Sequence, residues 1–178
     1  MNNEVKKEFL SHDALKSIMK EHTLYNSTNG KAGKEADLGG FVIEDFDFSG
    51  LDLNSINARE SMFTRCRFVG CDLSGVHFNH ALLIEADFRD AYLWKADFSY
   101  VIANGACFDR ADVGDVEFDQ TQLRAATFRN ANLRGASIID CDLSNAVFDG
   151  ADLEYAAIVD NQEDGTSWVK VKGRSAAA

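Results

Sequence analysis

Every fifth residue from Leu38 to Ile158 belongs to one column, which is apolar throughout and free of insertions or deletions. The column runs Leu38, Ile43, Phe48, Leu53, Ala58, Phe63 and Phe68 onward to Phe148, Leu153 and Ile158, 25 positions in all. Two residues before each stands a second column of mostly small residues, among them Ala81, Ala86, Ala91, Ala96, Ala131, Ala146 and Ala151. Cys66, Cys71 and Cys141 fill the same slot. A period of five fits neither an α-helix nor a flat strand. It demands a backbone that turns a corner every five residues.

The unit Ala-Asp/Asn-Leu/Phe-x-x recurs, as in Ala86-Asp87-Phe88-Arg89-Asp90 and Ala131-Asn132-Leu133-Arg134-Gly135. This pattern resembles the pentapeptide-repeat family across residues 36 to 160, about 70% of the chain. The resemblance implies an all-β solenoid, a right-handed quadrilateral β-helix with four pentads per coil. Sorting the central residues by every fourth pentad supports that count independently. One column becomes Phe48, Phe68, Phe88, Phe108, Phe128 and Phe148. The next becomes Leu53, Leu73, Leu93, Val113, Leu133 and Leu153. At the usual strand spacing of ~4.8 Å, the rings of such a column stack, and about six coils make a rod of roughly 30 Å. The chain has no proline. A proline would delete a donor from a coil-to-coil ladder.

Both ends of an open solenoid need covers. Residues 1–35 read as a helical leader, the N-terminal cap. Asp13 is placed to N-cap a helix over 13–26, with Leu15, Ile18, His22 and Tyr25 on one face. His22, Tyr25, Gly30, Gly33 and Ala36 match the helix-and-glycine leader seen before many pentapeptide repeats. In the first coil Phe41, Phe46, Leu51 and Ile56 replace the small residue, which gives such a helix something to pack on. Residues 161–178 read as a tail that breaks the register. Its Trp168, Val169 and Val171 are candidates to plug the C-terminal end or to join two chains.

Catalytic chemistry is not written in the sequence. The cysteines in the small slot read as small hydrophobes, without a Cys-x-x-Cys spacing. His77 and His80 read as a surface pair. Asp52, Asp72, Asp112 and Asp152 occupy the slot before the central residue, where a short side chain can bond the turn. No nucleophile triad, phosphate loop or dinucleotide fingerprint is present. The expectation is a non-enzyme with no cofactor and no metal. No apolar run of membrane-spanning length exists, and reduced thiols fit a cytoplasmic home.

Function should therefore lie on the outer walls. Between residues 36 and 160 there are 22 acidic and 9 basic residues, and the chain as a whole carries -11. The walls centred on Leu53 and Phe78 carry net -4 and -6. The acidic-face candidates are Asp52, Asp72, Asp97, Asp112, Asp115, Glu117, Asp119 and Asp152. On another wall Val42, Met62, Leu82 and Ile102 precede the central residue and should point outward, with Ile84 alongside. An exposed apolar stripe of this kind marks a contact, with the chain's own leader or tail or with a partner. The expectation is a protein–protein interaction scaffold that presents the stripe and an acidic surface. The alternative is a DNA mimic, since some pentapeptide-repeat proteins are acidic rods that protect type II topoisomerases, DNA gyrase among them, from their poisons. A homodimer through one end is a further candidate association. The acidity argues against direct nucleic-acid binding and against a membrane surface.

Overall fold

The five-residue step follows from how its backbone donors are used, and the pentad Ala96-Asp97-Phe98-Ser99-Tyr100 shows the scheme in a computed structural model of the chain. The Ala96 N–H closes the preceding corner on the Leu93 carbonyl at 2.9 Å. Asp97 donates one coil down to Val76, and Phe98 donates one coil up to Glu117. The Ser99 N–H donates to Asp97 Oδ1 at 2.9 Å. Tyr100 donates to Asp119 and holds a φ of +61°. That left-handed conformation recurs at every fifth residue, with large side chains such as Glu85, Tyr100 and Tyr155 accepting it. All five donors are thus committed, and the fifth position also needs a φ that a proline ring cannot reach. The missing proline is a property of the pentad itself.

Residues 8–173 are described by the structure. They form a right-handed quadrilateral β-helix closed at one end by a helix. The regular elements are β1 (Glu8–Phe9), α1 (His12–Ser27), β2 (Phe41–Glu44), β3 (Met62–Thr64), β4 (Glu117–Asp119), β5 (Ser137–Ile139) and β6 (Ala157–Val159). The strands form two parallel sheets, β1-β2-β3 and β4-β5-β6. Neighbouring coils are offset by 20 residues, so Ile43 faces Phe63 and Phe118 faces Ile138. The remaining pairings are single parallel bridges with the same offset, from Asp37↔Asn57 to Asp152↔Lys172.

The interior is a set of side-chain columns. Phe48, Phe68, Phe88, Phe108, Phe128 and Phe148 stack within 5° of parallel, with centroids 4.7–4.9 Å apart. Phe78, Phe98 and Phe118 meet this column edge-on. Polar residues in the small slot do not disturb the packing, because each reaches a main-chain carbonyl on the coil below. Ser61 donates to Leu38, Cys71 to Phe48 and Thr121 to Phe98, at 2.6, 2.8 and 2.6 Å. Burial pushes the thiols of Cys66, Cys71 and Cys141 up to about 11, so they act as small packing groups.

At the N-terminal end, α1 starts one residue earlier than the sequence suggests. Its N-cap is Ser11, whose hydroxyl accepts the Ala14 N–H at 3.3 Å, and Asp13 lies in the first turn. Leu15, Met19 and His22 are buried, and Ile18 packs partly buried against the core, as do Phe41 and Leu51 of the first coil. The His22 Nδ1 accepts the Ala36 N–H at 3.2 Å, which ties the helix to the first pentad. Gly33 crosses the helix so closely that a Cβ there would lie 2.3 Å from the Glu21 carbonyl oxygen.

At the other end the ladder does not stop at residue 160. Bridges join Asp142 to Gln162, Val147 to Ser167 and Asp152 to Lys172. The apolar column is interrupted there, because Glu163 and Gly173 stand on either side of Trp168 where an apolar residue is expected. The small-slot bonds persist and keep the register: Asn161 donates to Ile138 and Thr166 to Leu143. The closing Ser175–Ala178 stretch lies outside the described residues.

Candidate functional site

The corners fix which side chains face outward. On the wall centred on Leu83, Val42, Met62, Leu82 and Ile102 stand one above another in an unbroken ladder. All four are half-buried, and Ile84 beside them is exposed. The next rung is Gln122, which ends the stripe. The polar and ring contacts of α1 go to the first coil: His12 to the Glu44 carbonyl and the Phe46 ring, and Asn26 to the Asp52 carbonyl. The helix therefore closes the mouth of the rod and leaves the stripe open. The stripe also gains a member. Phe9 pairs with Val42 through β1 and is 60% exposed. It lies before the five-residue count begins, so periodicity does not reach it.

Charge divides the rod into two halves. On the walls centred on Phe88 and Leu83, arginines pair with aspartates a coil apart. Arg65 meets Asp45 at 2.7 Å, Arg67 meets Asp47 at 3.2 Å and Arg110 meets Asp90 at 2.8 Å. Arg65 and Arg110 hold the carboxyls of Asp45 and Asp90 below the usual aspartate range. The walls centred on Leu53 and Phe78 carry most of the remaining acid. Asp52, Asp72, Asp97, Asp112 and Asp152 each accept the N–H two residues on, so one carboxylate oxygen serves the turn. Glu117 and Asp119 flank Phe118 on β4. Of the eight acidic candidates, only Asp152 meets a cation within 4 Å among the described residues, at Arg134, 3.6 Å away. Burial pushes the Asp97 carboxyl up, but the Ser99 N–H and the Asn79 amide outweigh it and hold the group below the usual range.

The end candidates separate. Trp168 occupies a central slot and stacks on Phe148 at 4.3 Å, extending the aromatic column by one ring. Val171 is half-buried beneath the end, whereas Val169 points outward and is 56% exposed. His77 and His80 do not form a pair. His77 sits in the ladder between Asn57 and Asp97, and His80 stacks on Tyr100 at 4.9 Å.

A second exposed cluster lies on the Leu53 wall. Tyr92 stands between Asp72 and Asp112 in the ladder, Trp94 follows it on the same coil, and Tyr155 is exposed three coils on in the same wall. Two glycines make a shelf there. With Trp94, Asp112, Asp115, Asn132, Arg134 and Tyr155, Gly114 and Gly135 line a shallow cleft of about 410 Å³. The only sequence signal for it was aromatic residues at outward positions of the pentad.

The family model described as pentapeptide repeats matches residues 47–79, 77–115 and 117–157, in eight copies. Among solved structures, the chain is similar to full-length QnrB1, a plasmid-mediated fluoroquinolone resistance protein. The match is 18% identical, covers 74% of this chain and 92% of that one, and has a TM-score of 0.40. It is also similar to a pentapeptide repeat protein of the Arabidopsis thaliana thylakoid lumen, at 30% identity over 64% and 68% of the two chains with a TM-score of 0.31. A third likeness is to the pentapeptide repeat protein Rfr23 of the cyanobacterium Cyanothece 51142, at 21% identity over 75% and 88% with a TM-score of 0.27. No curated protein matches the sequence.

Proposed function

Since the chain belongs to the pentapeptide-repeat family, whose fold is a rod with a filled interior, we propose that it is a non-catalytic scaffold that binds a protein partner through its outer walls. The observation that supports this reading is the stripe Val42–Met62–Leu82–Ile102. It runs over four consecutive coils, stays half-exposed, and is lengthened by Phe9. Four rungs span ~15 Å, the length of a ten-residue helix or a short strand. The groups that would carry chemistry are already occupied in structure: the buried thiols donate to carbonyls, and the Asp carboxylates hold turns. A cytoplasmic location fits the reduced thiols.

The uncompensated acid supports a second reading. Two adjacent walls with net -4 and -6 present the kind of charge that a DNA-binding channel accepts. On that reading the partner is a type II topoisomerase, and the rod occupies its DNA groove.

One set of variants separates the two. Leu82→Asp leaves the thermal melt unchanged, because the side chain faces out, and abolishes capture of a partner held by the wild-type chain. Charge reversal at Asp72, Asp112 and Asp152 leaves that capture intact. In a gyrase supercoiling assay with a quinolone, mimicry requires protection at micromolar protein, lost on the same reversal. No protection ends the mimic reading, and unchanged capture by Leu82→Asp ends the stripe.

A further inference from the structure

The aromatic cluster on the Leu53 wall lies on the opposite side of the rod from the stripe. Walls follow one another in chain order, and the walls centred on Leu83 and Leu53 are two corners apart. Tyr92, Trp94 and Tyr155 are 59%, 49% and 82% exposed. An exposed aromatic cluster on a soluble rod is a contact surface by the same argument as an apolar stripe. Here the rings are interleaved with acid. Asp72 and Asp112 flank Tyr92, and Asp115 Oδ2 accepts the Trp94 indole N–H at 3.1 Å. Neither Asp112 nor Asp115 meets a cation within 4 Å among the described residues.

The floor of the shelf is shaped for a flat group. Gly114 is where the wall drops away: a Cβ there would sit 3.4 Å from the Trp94 ring and 3.2 Å from Asp112 Oδ1. Gly135 leaves room for the Asp115 carboxylate, which a Cβ would strike at 2.2 Å. The shelf runs from Trp94 to Arg134, two coils or ~10 Å apart.

The chain's own cations show what these rings attract. Lys95 Nζ lies 4.2 Å from the Trp94 ring centroid, and the Arg134 guanidinium lies 5.1 Å from that of Tyr155. Arg134 is held by Asp152 and Glu154, so its charge is already balanced. Lys95 is a flexible side chain at the corner, able to swing away at small cost.

We propose that this shelf docks an extended, arginine-bearing segment of a partner protein, with one guanidinium stacked on Trp94 in place of Lys95 and paired to Asp115. Arginine fits better than lysine because its planar head can stack on the ring and bond a carboxylate with two parallel donors, which an ammonium cannot do. The charge complementarity of the wall selects a basic occupant, and the glycine floor selects a flat one. This names the partner chemistry within the scaffold reading, but its site does not include the stripe, so the two stand or fall separately.

The test uses the full chain carrying Trp168→Phe, which leaves Trp94 as the only tryptophan. Its fluorescence is followed while a capped Gly-Arg-Gly-Arg-Gly-Arg peptide is added, with the lysine and glutamate analogues in parallel. The expected result is saturable quenching by the arginine peptide. Half-saturation should need at least fivefold more of the lysine peptide, and the glutamate peptide should give no change. Asp115→Asn should weaken arginine-peptide binding at least fivefold. Gly114→Leu, which fills the shelf and keeps every charge and ring, should do the same. Trp94 is surface-exposed, so a calorimetric titration of Trp94→Ala adds a readout without the fluorophore and should show binding lost with the melt unchanged. Equal response to arginine and lysine peptides, or binding that survives Gly114→Leu, overturns the proposal in favour of diffuse charge attraction. Absence of saturable binding overturns it outright, and none of these results bears on the Leu82→Asp capture.

Discussion

The two ends of the rod solve one problem in opposite ways. Each exposes the cross-section of the same interior. At the N-terminal end the chain closes itself: β1 pairs with the edge of β2, and α1 lays Leu15, Met19 and His22 onto a first coil with large residues at Phe41, Phe46, Leu51 and Ile56. At the C-terminal end no helix follows among the described residues, and Ala156, Ile158, Trp168 and Val171 are only partly buried. The contrast teaches that closure here is a matter of added elements, not of the repeat. The pentad continues to Lys172 with its apolar column interrupted at Glu163, and the described residues add no covering element there. Among the described residues, one end of the rod is covered by added elements and the other is not.

The largest expected effect comes from breaking the finished end. Leu15 is fully buried under the first coil, so Leu15→Ala should lower stability by about 2–5 kcal/mol in urea unfolding. Leu15→Asp should go further and undock the helix, making both ends open. Sedimentation should then show association that the wild type lacks at its N-terminal end. A loss below 1 kcal/mol for Leu15→Ala would mean that α1 is an appendage.

A smaller effect is expected at the open end. Trp168 stacks by one face on Phe148 and is half-buried. Full burial of a large apolar side chain contributes ~1.5–3 kcal/mol, so Trp168→Ala should cost about 1 kcal/mol. If the cost rises with protein concentration, the end is covered in solution by a second copy, and Trp168, Val169 and Val171 belong to that interface. A concentration-independent cost near 1 kcal/mol leaves the end uncovered.

How these features were legible in the sequence follows the same division. The interior columns could be read directly, because a filled square cross-section tolerates few side chains per slot: the Phe48–Phe148 stack, the small slot and the first-coil substitutions all recur in the structure. The register beyond residue 160 could not be read from apolar spacing, since Glu163 replaces the central residue. What carries it is hydrogen bonding from Asn161 and Thr166 to carbonyls 23 residues back, a signal that hydropathy does not contain. The stripe was visible as a period-20 column, but its extension by Phe9 was not, because β1 joins from outside the repeat. The Trp94 shelf was hidden for another reason. Its shape depends on two glycines on successive coils, and a glycine in a pentapeptide corner is otherwise unremarked.

The smallest effect concerns how the last coil is held. Asp149 Oδ1 accepts the Ser167 hydroxyl at 2.6 Å and the Val169 N–H at 3.0 Å, and these bonds hold its carboxyl below the ordinary value of 3.8. A carboxyl lowered in the folded state contributes its stability above the unfolded value and loses it as pH falls through the folded one. The contribution is therefore complete above about pH 4 and fades below it. Hydrogen exchange, corrected for the intrinsic pH dependence, should show the Val169 amide losing protection below pH 4 while the Phe108 amide, mid-rod and bonded to Thr127 at 2.7 Å, keeps its own. Asp149→Asn removes the titrating group, so the Val169 amide should become insensitive to pH over the same range. If the wild type and Asp149→Asn show the same pH dependence at the Val169 amide, the carboxylate is not what holds the last coil, and its order rests on the ladder, the Asn161 and Thr166 bonds and the Trp168 stack.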